Sequence, residues 1–137
     1  MRSSKPILLV EDDQVDAMTV QRALKEIKIT NRLDIAEDGE KALAFLENPE
    51  NEQPGIILLD LNMPRMNGIE FLQRIKEDDS LKKIPVIVLT TSREDQDKVD
   101  SFKLGVAGYM VKPVDYRKFV EVIKTIDLYW TLSELPE

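Results

Sequence analysis

Short apolar runs recur along the chain at Ile7 to Val10, Leu33 to Ala36, Ile56 to Leu59, Val86 to Leu89 and Gly108 to Val111. The first, third and fourth are almost continuously apolar and rich in β-branched residues, the pattern of parallel strands covered on both faces. Between the runs, the spacing of apolar residues changes to that of a helix. Ala17, Val20, Leu24 and Ile27 fall on one stripe, Ile69, Leu72 and Ile75 on another, and Tyr116, Phe119, Ile123 and Ile126 on a third. Two weaker stripes centre on Ala42 to Leu46 and Val99 to Leu104. Strand and helix thus alternate five times, with turn signals at Pro54-Gly55 and Asn67-Gly68 and a helix stop at Gly105. This alternation predicts an α/β fold built on a doubly wound, five-stranded parallel sheet.

Nearly every strong polar signal stands just after one of those apolar runs. Glu11, Asp12 and Asp13 follow the first, Asp60 and Asn62 the third, Thr90 and Thr91 the fourth, and Lys112-Pro113 the fifth. In a doubly wound sheet, ligands bind outside the carboxyl ends of the strands, where the winding direction reverses. Three or more carboxylates converging there would raise a pKa by mutual repulsion or recruit a cation. Taken singly, most of these residues have plain structural readings: the acids after the first run as helix caps, Thr90 as a strand residue, Lys112 as a solvated charge. Asp60 resists such a reading, because an isolated carboxylate closing the run Ile56-Ile57-Leu58-Leu59 would be costly to bury.

Composition narrows the chemistry. The 137 residues, 42% hydrophobic and 33% charged, suit one soluble domain with a sizeable core. No cysteine and no histidine occur, which removes thiol chemistry, zinc-thiolate sites and the usual neutral-pH acid/base, and leaves only oxygen ligands for a metal. A hard cation such as Mg²⁺ is the natural guest of such a site. The net charge of -7 opposes nucleic-acid binding, and Lys82-Lys83 is too small a basic patch to reverse that field. The polar start, Met1 to Pro6, and the brief run after it are too short for a signal peptide or membrane span, so the expected setting is cytoplasmic and without a membrane partner.

An oxygen nucleophile, a metal and donors for the remaining oxygens are the parts of a phosphoryl-transfer site. On that reading Asp60 is the nucleophile, Asp12 and Asp60 bind Mg²⁺ directly, Glu11 binds it through water, Asn62 contributes its backbone carbonyl, and Thr90 and Lys112 hold the phosphoryl oxygens. In LLVEDD, ILLDLNMPRMNG, VIVLTTS and GYMVKP the chain resembles the response-regulator receiver domains, over residues 7 to about 126. The resemblance implies a flavodoxin-like sheet of order 2-1-3-4-5, phosphorylation of Asp60 by a partner histidine kinase, and a cis peptide before Pro113. It further implies a switch pair, Thr90 and Tyr109, whose hydroxyl moves toward the phosphoryl group as the ring turns inward, and a phosphoryl lifetime tuned at Asn62 and Ser92. Apart from the family, Tyr109 would read as an edge-strand aromatic packed on the surface. Such a protein is a phosphoacceptor switch, not an enzyme acting on other substrates. The polar loop after the second helix, the LTTS run and an aromatic tail ending in Leu-Pro are most similar to small regulators that accompany bacterial phytochrome kinases.

Two rivals are weaker. Phosphatases of the haloacid-dehalogenase type need a second aspartate two positions beyond the nucleophile as general acid, and Asn62 stands there. A flavin site would need a glycine-rich phosphate loop after the first strand, where the chain instead carries acids. With residues 1 to 126 as the receiver, residues 127 to 137 form a tail continuing the last helix, whose apolar stripe runs on to Trp130, followed by Leu132 and Leu135, with Tyr129 beside it. Large aromatics beyond the minimal domain either fold back on their own helix or mark an interface. The expectation is a homodimer through the fourth and fifth helices and this tail, with an unidentified downstream protein as the target of the signal.

Overall fold

A computed structural model describes residues 4–132. Five parallel strands form one sheet in the order β2-β1-β3-β4-β5: β1 (Ile7–Val10), β2 (Leu33–Ala36), β3 (Ile56–Leu59), β4 (Val86–Thr90) and β5 (Gly108–Val111). The three inner strands are buried at every residue, which is why they read as unbroken apolar runs. Alternate residues serve opposite faces. Leu8, Val10, Ile57, Leu59, Val86 and Val88 pack with α2 (Gly39–Glu47) and α3 (Gly68–Lys76), whereas Ile7, Leu9, Ile56, Leu58, Ile87 and Leu89 pack with α1 (Gln14–Glu26) and α5 (Tyr116–Leu132). Full burial of a side chain such as Phe71 or Ile123 stabilises the fold by roughly 1.5–3 kcal/mol relative to leaving it in water.

The helix ends follow local chemistry. Asp13 caps α1 by accepting from the backbone N–H groups of Val15 and Asp16, at 2.8 and 3.1 Å. Asn67, read from sequence as part of a turn, is the N-cap of α3: it and Glu70 satisfy each other's backbone N–H groups. Gly105, at φ +81°, closes α4 (Asp95–Lys103) as expected, but α1 is closed by Lys28 at φ +63°, a position no glycine signals. Helix α4 is the least anchored, with only Ser101 buried and Val99 and Phe102 exposed. The peptide before Pro113 is trans, correcting the cis bond that the resemblance implied. The two isomers of an X–Pro bond differ by only about 0.5–1 kcal/mol, so the surrounding fold decides between them.

The aromatic tail also departs from expectation. Trp130 is 4% exposed and belongs to the core cluster with Ile7, Ile56, Ile123 and Ile126, so its own chain covers it, not a second copy. The reason is the approach of Gly55, where an added Cβ would lie 2.6 Å from the indole Cζ2. Only a residue without a side chain lets the ring lie there. Tyr129 is half-buried beside the same cluster, the exposed apolar residue of this turn is Leu128, and Leu135 lies outside the described residues. Among the described residues no helix is long and apolar enough to cross a membrane.

Candidate functional site

The register of the inner strands assembles the site. Val10 pairs with Leu59 and Leu59 with Val88, so Glu11 and Asp60 leave the sheet side by side with Thr90 close behind. The backbone N–H of Asp60 donates to the carbonyl of Val10 at 3.0 Å, and that of Lys112 to the carbonyl of Thr90 at 2.7 Å. These bonds carry the ladder one residue past β3 and β5 and bring four strand ends to one place. Neighbouring strands lie about 4.8 Å apart, within reach of short side chains.

Glu11, Asp60 and Thr90 are buried, and Asp12 is exposed at the rim. Glu11, Asp12 and Asp60 each place one carboxylate oxygen such that all three lie within 4.8 Å of one another. The acids after β1 thus divide their work: Asp13 caps the helix, and the other two face Asp60. Asn62 lines the same open pocket as Asp12, a space of about 470 Å³ bordered by Met63, Asn67 and Asp97. Three carboxylates and no softer donor fit a hard divalent cation.

Thr90 donates its hydroxyl to Asp60 Oδ1 at 2.7 Å and accepts from the Ser92 backbone N–H at 3.3 Å. The Lys112 ammonium is 8% exposed, hydrogen-bonds Glu11, lies 3.1 Å from Asp16 and stands 3.9 Å from Asp60 Oδ2. Burial pushes the Glu11 carboxyl up to about 7, reinforced by the charge of Asp60 and opposed by the bond to Lys112. For Lys112, burial favours the neutral amine, but Glu11, Asp60 and Asp16 together outweigh it and hold the ammonium above its ordinary pKa. The phenol of Tyr109 donates to the Ser92 carbonyl at 3.0 Å, and burial raises its pKa. This ring is therefore half-buried against the loop after β4, not laid on the outer surface.

Glu11, Asp12, Asp60, Asn62, Thr90, Ser92, Tyr109 and Lys112 gather here, and two more join them, Asp16 and Asp97. Asp16, one helical turn after Asp12, supplies a second counterion to Lys112. Ser92 donates its hydroxyl to Asp97 at 2.6 Å, linking the loop after β4 to the first turn of α4. The i, i+4 spacing of Asp12 and Asp16 was the available signal for the first; nothing in sequence announces the second.

A parallel sheet of order 2-1-3-4-5 with an acid cluster, a hydroxyl and a lysine at its strand ends is a doubly wound, flavodoxin-like fold. Residues 7–124 match the family described as response regulator receiver domain, and the chain belongs to that family. It is 41% identical to the response regulator Rcp1 of Synechocystis sp., over 92% of this chain and 88% of that protein. Its structure is similar to the phosphorylated cyanobacterial phytochrome response regulator RcpA, with a TM-score of 0.91 and 36% identity over 98% of this chain and 100% of that one. It is also similar to the Mn²⁺-bound form of Rcp1, with a TM-score of 0.88 and 40% identity over 97% and 99% of the two chains.

Proposed function

We propose that this receiver takes a phosphoryl group from a partner histidine kinase onto Asp60 and passes on the signal by protein-protein interaction. The observation that carries the reading is a buried aspartate whose Oδ1 accepts from Thr90 at 2.7 Å while an ammonium stands 3.9 Å from its Oδ2 and two more carboxylates face it. In the transfer, an Asp60 oxygen forms the new O–P bond as the N–P bond to the donor histidine breaks, and the electron pair returns to the ring nitrogen. Asp12, Asp60 and the Asn62 backbone carbonyl would hold Mg²⁺, with Glu11 reaching it through water; the cation offsets charge on the transferring group. Thr90 and Lys112 hold the phosphoryl oxygens. Both are already placed at the acceptor, so little reorganisation is needed.

Thr90 and Tyr109 form the switch pair, joined through Ser92, whose N–H meets the threonine hydroxyl and whose carbonyl meets the phenol. The protein catalyses only its own phosphorylation and dephosphorylation. Its similarity to RcpA supports a phytochrome-type kinase as the donor, and the setting of this reading is the cytoplasm. A homodimer through α4 and α5 is the further reading, now resting on exposed Val99, Phe102 and Leu128, since Trp130 faces inward. Incubation with acetyl phosphate and Mg²⁺, followed by mass spectrometry, tests the central claim: one added phosphoryl group on Asp60 is expected, and modification elsewhere or none overturns it.

A further inference from the structure

The loop that carries Asp60 and Asn62 into α3 contains a backbone outlier. Arg65 sits at φ +60°, in the left-handed region that a residue with a Cβ adopts only rarely. Such a conformation persists only where surrounding contacts over-determine it. The contact here is specific: the Arg65 guanidinium lies 2.8 Å from Oδ2 of Asp38, whose side chain is 3% exposed. The other oxygen of that carboxylate caps α2 by accepting from the Lys41 N–H at 2.8 Å. Beside this pair, the Gly39 N–H donates to the Met66 carbonyl at 3.3 Å, and a Cβ on Gly39 would meet that carbonyl oxygen at 2.8 Å.

The ends of the loop are held differently. Asp60 is tied to β1, and Gly68 donates its N–H to the Leu61 carbonyl at 3.0 Å while Asn67 caps α3. Between them, Asn62, Met63 and Pro64 wall the pocket shared with Asp12, and just beyond them the Arg65–Asp38 pair pins the loop onto the start of α2. We infer that Arg65 and Asp38 are positioning residues for the metal site: their ion pair sets where the Asn62 backbone faces the cation, though neither would touch it. This inference rests on the metal-binding reading above. Ordering a ligand-bearing loop through a buried carboxylate lowers the cost of arranging oxygen donors when the cation binds.

The test is Mn²⁺ binding, followed by electron paramagnetic resonance of the free ion, in the unaltered chain and in Arg65→Ala, Arg65→Asn, Arg65→Lys and Asp38→Asn. Asparagine tolerates the left-handed backbone but is far shorter than arginine, and Asp38→Asn keeps an oxygen to cap α2 while losing the charge. Both Arg65→Ala and Arg65→Asn are expected to weaken Mn²⁺ binding about tenfold, the usual scale for removing a group that orients a ligand, with Arg65→Lys recovering part of the loss. Asp38→Asn should weaken it similarly, and the Asp38→Asn/Arg65→Asn double variant no more than either alone. A merely structural pair would lower the melting temperature of the metal-free chain and leave Mn²⁺ affinity alone. Unchanged affinity in Arg65→Asn, while the unaltered chain binds Mn²⁺ and Asp60→Asn does not, overturns the positioning role and leaves the metal site standing. Failure of the unaltered chain to bind Mn²⁺ overturns both.

Discussion

At the amino end of the sheet, Trp130 lies on Gly55 and closes a cluster of Ile7, Ile56, Ile123 and Ile126, with the indole N–H the only polar atom of the ring and without a hydrogen-bond partner. At the carboxyl end, Glu11, Asp60, Thr90 and Lys112 are also largely out of water, but their polar atoms meet one another and nearby backbone N–H groups. Packing at the first end gains stability by removing apolar surface from water. At the second, like-charged carboxylates are held together against their repulsion, a cost that a bound cation would relieve. One sheet therefore supports an apolar, stabilising end and a polar end proposed to carry the phosphoryl chemistry, and substitutions should affect them separately.

The largest effect expected is at the polar end. Asp60→Asn should abolish phosphoryl labelling by acetyl phosphate, because an amide is a far weaker nucleophile, while the melting temperature holds or rises with the removal of one carboxylate facing Glu11. Full labelling of that variant would end the assignment. At the other end, Trp130→Ala should destabilise the fold by about 3–5 kcal/mol in chemical denaturation, the range for emptying a buried aromatic site. Its labelling by acetyl phosphate should persist under conditions where it is folded; loss of labelling in folded protein would show that the two ends are not separable.

A pH series sharpens the contrast. Folded Glu11 keeps its proton up to about pH 7, against an ordinary value of 4.5 in the unfolded chain. Between those values the folded state binds more protons, so this group's contribution makes stability fall as pH rises through that window. With one pKa unit worth about 1.4 kcal/mol, the effect is at most about 3.5 kcal/mol. Melting curves of the metal-free chain and of Glu11→Gln from pH 4 to 8 isolate it: the difference between them should change across the window, and a constant difference would refute the raised pKa. The smallest change is expected for Trp130→Phe, which keeps most of the apolar contact and removes the unpartnered N–H, so that stability should shift by no more than about 1 kcal/mol.

Much of the fold was legible because burial on both faces forces parallel strands to be apolar throughout, and the five runs stand where the five strands lie. The site was legible for a related reason: polar residues that end such runs must leave the sheet together. Helix α4 was faint since it buries almost nothing, and α1's closure at Lys28 carried no glycine to announce it. The pairings Lys112 with Asp16 and Arg65 with Asp38 join residues 96 and 27 positions apart, and no local pattern predicts which charges will meet.

By itself, then, the order of apolar runs and strand-end residues determined the sheet, its winding and the membership of the acid cluster, since these depend on periodicity and on which residues water excludes. Tertiary structure alone decided that Trp130 turns inward onto Gly55, that the bond before Pro113 is trans, and which counterions Lys112 and Arg65 take. Each of those outcomes depends on how segments remote in sequence approach one another, where a few tenths of an ångström separate a contact from a clash.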